Sequence, residues 1–199
     1  MALAENSLGG RLPLLPPAAL DADQHQLYTQ LTDKMVAWAN KSGFQAATPA
    51  GVLIGPFNPM LRSPLISQAV MAMNAAEGAH TALSERVRQV VILTVGAVWQ
   101  AAYELYAHTA VARQAGFDEA TIRALVAGQK PAGLSAEEGV AYEFTHRLST
   151  AHQIDATLYE QALATFGEKG VVDMICLAGQ YMIISGLLNT FAVPAPPAG

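Results

Sequence analysis

AAYELYAHTAVARQAGF, residues 101–117, is the stretch on which the fold turns. Alanines, aliphatics and aromatics fill it, and Gly116 closes it, so it reads as one helix. Glu104 and His108 stand inside it, four residues apart. Tyrosine aside, they are the only side chains between Gln89 and Ala112 with acid–base chemistry near neutral pH. Residues four apart lie one above the other on a helix. The same face carries Ala97, Ala101, Val111 and Ala115, small enough for another backbone to come close or for a narrow pocket to open. Buried there, a carboxylate and an imidazole cost roughly several kcal/mol unless they satisfy one another. The spacing alone admits three readings: a structural pair that fixes packing, a proton-transfer pair, or part of a metal site. A metal asks for three or more ligands, and His80, His146 and His152 offer no matching spacing. No metal is expected.

The rest of the chain is organised around similar helices. Leu27, Leu31, Met35 and Trp38 recur at three-to-four spacing from Asp21 to Asn40, with Gly43 just beyond. A long irregular segment, KSGFQAATPAGVLIGPFNPMLRSP, follows; such segments inside compact domains usually carry function. Pro64 opens the next helix behind Ser63 as its expected cap, and that helix ends near Gly78. Ser84, Asp118, Ser135 with Glu138, and Asp155 mark further starts. No alternating strand of convincing length appears, although GVLIGPF suits a short extended piece. The expectation is an all-α single domain of about eight helices over residues 21–195, preceded by a proline-bearing tail, residues 1–20, that is mobile or lies across a neighbour.

Composition bounds the function. Hydrophobic residues make up 52% of the 199 and charged residues 14%. So little charge suggests surface buried between subunits. A net charge of −5 with no basic run argues against nucleic acid. The apolar run 171–191 has the length of a membrane span, but Asp173, Gln180 and Asn189 interrupt it and no Lys or Arg cluster flanks it. A core or interface helix is the better reading, so no membrane partner is expected. Asp173 and Gln180 are either packing groups or partners of the site. The N-terminus has no signal-peptide pattern, and Cys176 stands alone as an expected buried free thiol. A reducing cytoplasm is the default.

ERVRQVVILTVGAVWQAAYELYAHTAVARQAGFDEATIRALVAG resembles the core of the carboxymuconolactone decarboxylase family, within the alkylhydroperoxidase D-like superfamily. The shared features are the Arg-x-Arg entry to an aliphatic helix, Tyr-Glu-x-x-x-His, Ala-x-x-x-Gly and an acidic cap. GPFNPMLRSP and QYMIISGLLNTFAVP look like the family's flanks, which extends the likeness over about residues 50–195. The resemblance implies an all-helical fold assembled as a homotrimer or homohexamer, with sites near subunit contacts. It also implies a cofactor-free lyase that removes CO2 from a small unsaturated lactone acid, a step of aromatic-compound catabolism. The substrate would supply the electron sink, with His108 as acid–base residue and Glu104 as its partner. Tyr103, Tyr106 and Trp99 would wall the pocket, and Asn58 and Arg62 would anchor an anionic substrate. Arg88 and Arg113 are weaker anchors, and His25, His80 and His152 belong to the surface.

Two departures matter. Where the peroxidase branch has Cys-x-x-Cys, this chain has Ala101 and Glu104, so dithiol peroxidase chemistry, which needs an attacking and a resolving thiol, is not expected. Gln89 stands where family members often carry Glu; it can orient an imidazole but not relay its proton. A cofactor-free lyase or hydrolase acting on a small carboxylated or lactone-like metabolite is the first reading. A non-catalytic oligomeric binding protein on the same fold is the alternative.

Overall fold

The computed structural model describes residues 8–197. It is built of α-helices, and its one strand-like feature among those residues is an isolated antiparallel bridge between Ala47 and Leu53. Helix α1 (Ala22–Leu31) starts at a capping box in which Asp21 and Gln24 satisfy each other's backbone N–H groups. It runs through a π turn (Thr32–Val36) into α2 (Ala37–Ser42) and stops at Gly43, whose φ of 83° takes the left-handed conformation. The irregular segment then folds inward, burying Leu53, Ile54, Phe57 and Met60, the last two within the short α3 (Phe57–Met60).

Helix α4 (Pro64–His80) has Pro64 in its first turn, but Ser63 makes no side-chain cap bond, contrary to expectation. The Ser67 hydroxyl instead donates to the Met60 carbonyl at 2.8 Å and ties α4 to α3. Helix α5 (Glu85–Trp99) is capped by Ser84 and α6 (Ala102–Gln114) follows after a turn at Gln100–Ala101. Helices α7 (Glu119–Val126), α8 (Ala136–Ala151) and α9 (Ala156–Thr190) start at Asp118, Ser135 and Asp155, as their sequences indicate. Gly167, at φ 67°, breaks α9 into two helices. With α1 and α2 taken as one bent helix and α9 as two, the described residues form eight principal helices around the short α3.

Helix α5 is the axis, packed by α6, α7, α8 and α9. One core lies among α5, α7, α8 and α9, with Val90, Leu93, Phe144, Met174 and Leu177 fully enclosed. A second joins α1, the irregular segment, α3, α6 and the end of α9 through Leu27, Leu31, Leu53, Tyr103 and Leu188. Each such side chain contributes roughly 1.5–3 kcal/mol by leaving water. Between the cores run the inner faces of α5 and α6, and there the Glu104–His108 pair is buried.

Two further expectations need correction. Residues 8–20 are a strap laid on their own chain, not a tail: Arg11 N–H donates to the Phe191 carbonyl and its guanidinium to that of Thr190, while Leu14, Leu15 and Leu20 pack on the second core. Residues 1–7 lie outside the described part. Cys176 is exposed, because it shares an uncovered face of α9 with Val172, Ile175 and Ile183. Helix α9 is long and apolar enough to cross a membrane by length and composition, yet its inner face packs against α5 and α8.

Candidate active site

Helix α6 has no side-chain cap, and Glu104 occupies its first turn. The free N–H groups of a helix start favour a negative charge there. One turn on, the His108 Nε2 lies 3.1 Å from Glu104 Oε1, with both side chains 5% exposed. The ring N–H direction misses that oxygen, so the pair stands at ion-pair distance while Oε1 has no hydrogen-bond donor. On the other side, His108 Nδ1 is 2.8 Å from Gln89 Oε1 across the α5–α6 hairpin. An amide oxygen only accepts, so Nδ1–H is the donor. The Gln89 Nε2 donates to Glu85 Oε1 at 2.7 Å. Arg88 Nη1 reaches Glu85 Oε2 at 2.5 Å, and the same guanidinium grips Glu77 of α4 at 3.0 and 2.6 Å. Burial works against the Arg88 charge, but the Glu77 bonds and the nearby carboxylates outweigh it and raise its pKa.

Two cavities meet at the imidazole. The outer one, of about 500 Å³, is a polar cleft bordered by Lys41, Glu85, Arg88, Gln89 and Gln114. The inner one, of about 50 Å³, is apolar, walled by Phe57, Met60, Met71 and Ile184 and interrupted by Glu104 and Gln180. Met35, Trp38, Asn74, His108 and Tyr181 border both. Tyr181 meets the imidazole edge-on at 5.0 Å and Trp38 tilts against it at 5.9 Å. Complete burial, reinforced by Glu104, drives the Tyr181 phenol well above its ordinary pKa, so it stays a neutral wall. Gln180 Oε1 is buried without a donor. Among the described residues, no three His, Cys, Asp or Glu side chains gather into a metal-binding group.

The residues named from the sequence separate. Glu104, His108 and Gln89 come together. Tyr103 borders the inner cavity, with its hydroxyl donating to the Gln45 carbonyl at 2.5 Å. Burial, with Tyr106 and Glu104 nearby, holds that phenol well above its ordinary pKa. Tyr106 borders neither cavity; its oxygen accepts from the Gln45 N–H, and its ring packs on Phe44 and Tyr103. Trp99 is partly exposed at the far end of α5, where Asn189 bonds its carbonyl. Asn58 and Arg62 also lie away from both cavities. The Asn58 amide makes reciprocal bonds with the Leu15 backbone, and Arg62 donates to the Pro13 carbonyl. These two hold the strap rather than face the cleft. Sequence reasoning passed over Lys41, Asn74 and Tyr181 as site residues. Tyr181 and Gln180 were findable as polar groups inside an apolar run; Lys41 and Asn74 carry no local signal.

The fold is the all-helical one that solved alkylhydroperoxidase D-like structures share. Residues 64–147, from the start of α4 into α8 and including the buried pair, match the Carboxymuconolactone decarboxylase family. The match covers less than half of the 199 residues, and the rest of the likeness is one of fold. An alkylhydroperoxidase AhpD core, an uncharacterized peroxidase-related protein from Ralstonia eutropha JMP134, superposes with a TM-score of 0.73 at 17% identity, over 94% of this chain and 92% of that one. An uncharacterized peroxidase-related protein from Silicibacter sp. TM1040 gives 0.73 at 16% identity, over 97% and 95%. The debrominase Bmp8 C82A, in complex with 2,3,4-tribromopyrrole, gives 0.67 at 13% identity, over 97% and 94%. At these identities the likeness establishes the fold alone. No curated protein matches the chain in sequence.

Proposed function

We propose that the chain is a cofactor-free acid–base enzyme of the carboxy-lyase type, acting on a small carboxylated or lactone-like metabolite. One observation carries the reading: His108 stands where a polar cleft meets an apolar cavity, with Nδ1 engaged by Gln89 and Nε2 turned toward Glu104. In such a reaction the bond to the carboxylate breaks, its electron pair enters a conjugated carbonyl, and CO2 leaves. The resulting dienolate takes a proton on carbon. His108 Nε2 delivers it, Glu104 balances the charge, and solvent in the outer cleft restores the proton. Nε2 is the delivering atom because Nδ1 is committed to Gln89.

The walls suggest the substrate's shape. Glu104 Oε1 and Gln180 Oε1 both lack donors, so the inner cavity favours an apolar group bearing an O–H or N–H. A carboxylate belongs at the outer cleft. There Lys41 supplies a cation, since the Arg88 guanidinium is taken up by Glu77 and Glu85. Thiol-dependent chemistry has no support, because Cys176, the single cysteine, borders neither cavity. A homotrimer or homohexamer is part of the proposal. Val172, Ile175 and Ile183 of α9 and Leu65 and Ile66 of α4 are exposed apolar side chains that subunit contacts would cover.

The test is CO2 release and substrate consumption over a panel of muconolactone-type and β-keto acids, for wild type, His108→Ala and Glu104→Gln. Turnover by the wild type that falls about 10²–10⁴-fold without His108 is expected. Turnover unchanged in His108→Ala would sink the mechanism. Tight binding of panel members with no turnover would transfer the reading to a binding protein on the same fold.

A further inference from the structure

We infer that Glu85 is a positioning residue: it decides which nitrogen of His108 carries the proton, by fixing the orientation of the Gln89 amide. A glutamine amide has two ends of similar shape and opposite polarity, and it can turn over without steric cost. A carboxylate only accepts. With Glu85 Oε1 at 2.7 Å, the NH2 end of Gln89 is held on that side. The oxygen is therefore the end that meets His108 Nδ1, at 2.8 Å. When the imidazole is neutral, its proton sits on Nδ1 and its lone pair on Nε2, the nitrogen 3.1 Å from Glu104. With Nδ1 committed to Gln89, Nε2 is the ring nitrogen left to exchange a proton.

Glu85 is itself held. Its second oxygen accepts from Arg88, and Arg88 is anchored on α4 by both oxygens of Glu77. The groups that face this chain are Glu77 from α4, Glu85 and Arg88 from α5, Glu104 from α6, and Tyr181 from α9. A glutamate at position 89 would accept from Nδ1–H unaided. The glutamine found there makes a second accepting group necessary, and Glu85 is that group.

Arg88 makes the consequence of Glu85→Gln specific. The new side chain has one oxygen, and Arg88 claims it. Its NH2 then points at Gln89, whose amide turns over to accept from it. Gln89 now donates to His108 Nδ1, and the proton moves to Nε2. The change matters for chemistry only on the acid–base reading above, but its detection requires no substrate.

The experiment is two-bond 1H–15N correlation of 15N-histidine-labelled protein, with His108 assigned by its loss in His108→Ala and the pH raised until the ring is neutral. Wild type is expected to show the lone-pair-type 15N signal on Nε2. Glu85→Gln is expected to shift it to Nδ1, Glu85→Ala to give a mixture, and Glu85→Gln combined with Gln89→Glu to return it to Nε2. A wild-type lone pair on Nδ1 would overturn the inference. So would an unchanged tautomer in folded Glu85→Gln and Glu85→Ala. If the tautomer moves as stated while no panel acid turns over, the positioning role stands and the lyase reading fails.

Discussion

Replacing Gly55 by alanine should destabilise the protein severely, and the structure supplies the reason twice. Gly55 has φ 62°, a conformation costing a residue with a Cβ roughly 1–2 kcal/mol. The added methyl would also stand 2.2 Å from Tyr103 Cζ and within 2.6 Å of two further ring carbons. The ring has little room to retreat: it is 2% exposed, and its hydroxyl is tied to the Gln45 carbonyl. Overpacking of this kind costs roughly 1–3 kcal/mol. The sum is about 2–5 kcal/mol, a loss of roughly 4–20 °C in Tm for a chain of this size. Gly78→Ala is the control. It lies in the last turn of α4 with nothing within 4 Å of the added methyl, so it should be neutral or gain roughly 0.5 kcal/mol. Urea and thermal unfolding of both variants read the difference. Equal stability of the two would refute the assigned packing of Tyr103 against Gly55.

Other outcomes are open to the same treatment. Arg88→Gln should cost about 2–4 kcal/mol in urea unfolding, less than a fully enclosed pair because Arg88 is 19% exposed, while leaving Glu77 buried without its partner. Cys176→Ser should change stability by no more than about 0.5 kcal/mol and leave any turnover intact, since the side chain is exposed. Glu138 gives a pH signature. Burial pushes its pKa up, but the Arg86 bond, the Ser135 N–H and the Arg86 charge outweigh this and hold it below the usual carboxylate range. Its contribution to stability is therefore complete above about pH 4.3 and is lost as pH falls through the lower folded-state value. Glu138→Gln should flatten that part of an acid-unfolding curve, and an unaltered curve would count against the Arg86 pairing.

Much of this fold was readable before any coordinates. Helix starts at Ser84, Asp118, Ser135 and Asp155 follow from hydrogen-bonding side chains placed ahead of apolar periodicity, a local signal. Ser63 misled for the complementary reason: its surroundings, not its type, decided that its hydroxyl would make no cap bond. The pairing of Gln89 with His108 was also legible, since a hairpin joining two adjacent helices leaves few registers. The anchoring roles expected of Asn58 and Arg62 depended on where a proline-bearing N-terminal segment would lie. Nothing local specifies that this segment folds back over the chain and occupies them. Tyr106 and Trp99 share a helix strip with true cavity residues or lie beyond its end, and a few tens of degrees around a helix separates a wall from a neighbour.

The strap and the end of α9 have a consequence for the order of assembly. Gly10 lies so close to Phe191 and Ala192 that a side chain there would collide with their carbonyls, and Arg11 bonds the same turn. Leu188 and Val193 close the core that Leu27 and Tyr103 begin, and Tyr181 completes the wall around His108. During synthesis, then, Glu104 and His108 emerge from the ribosome long before the residues that enclose them. The surroundings of this pair stay open until α9 has been made and packed. Long-range closure of this sort is slow compared with helix formation, so the pocket around His108 is completed late in folding.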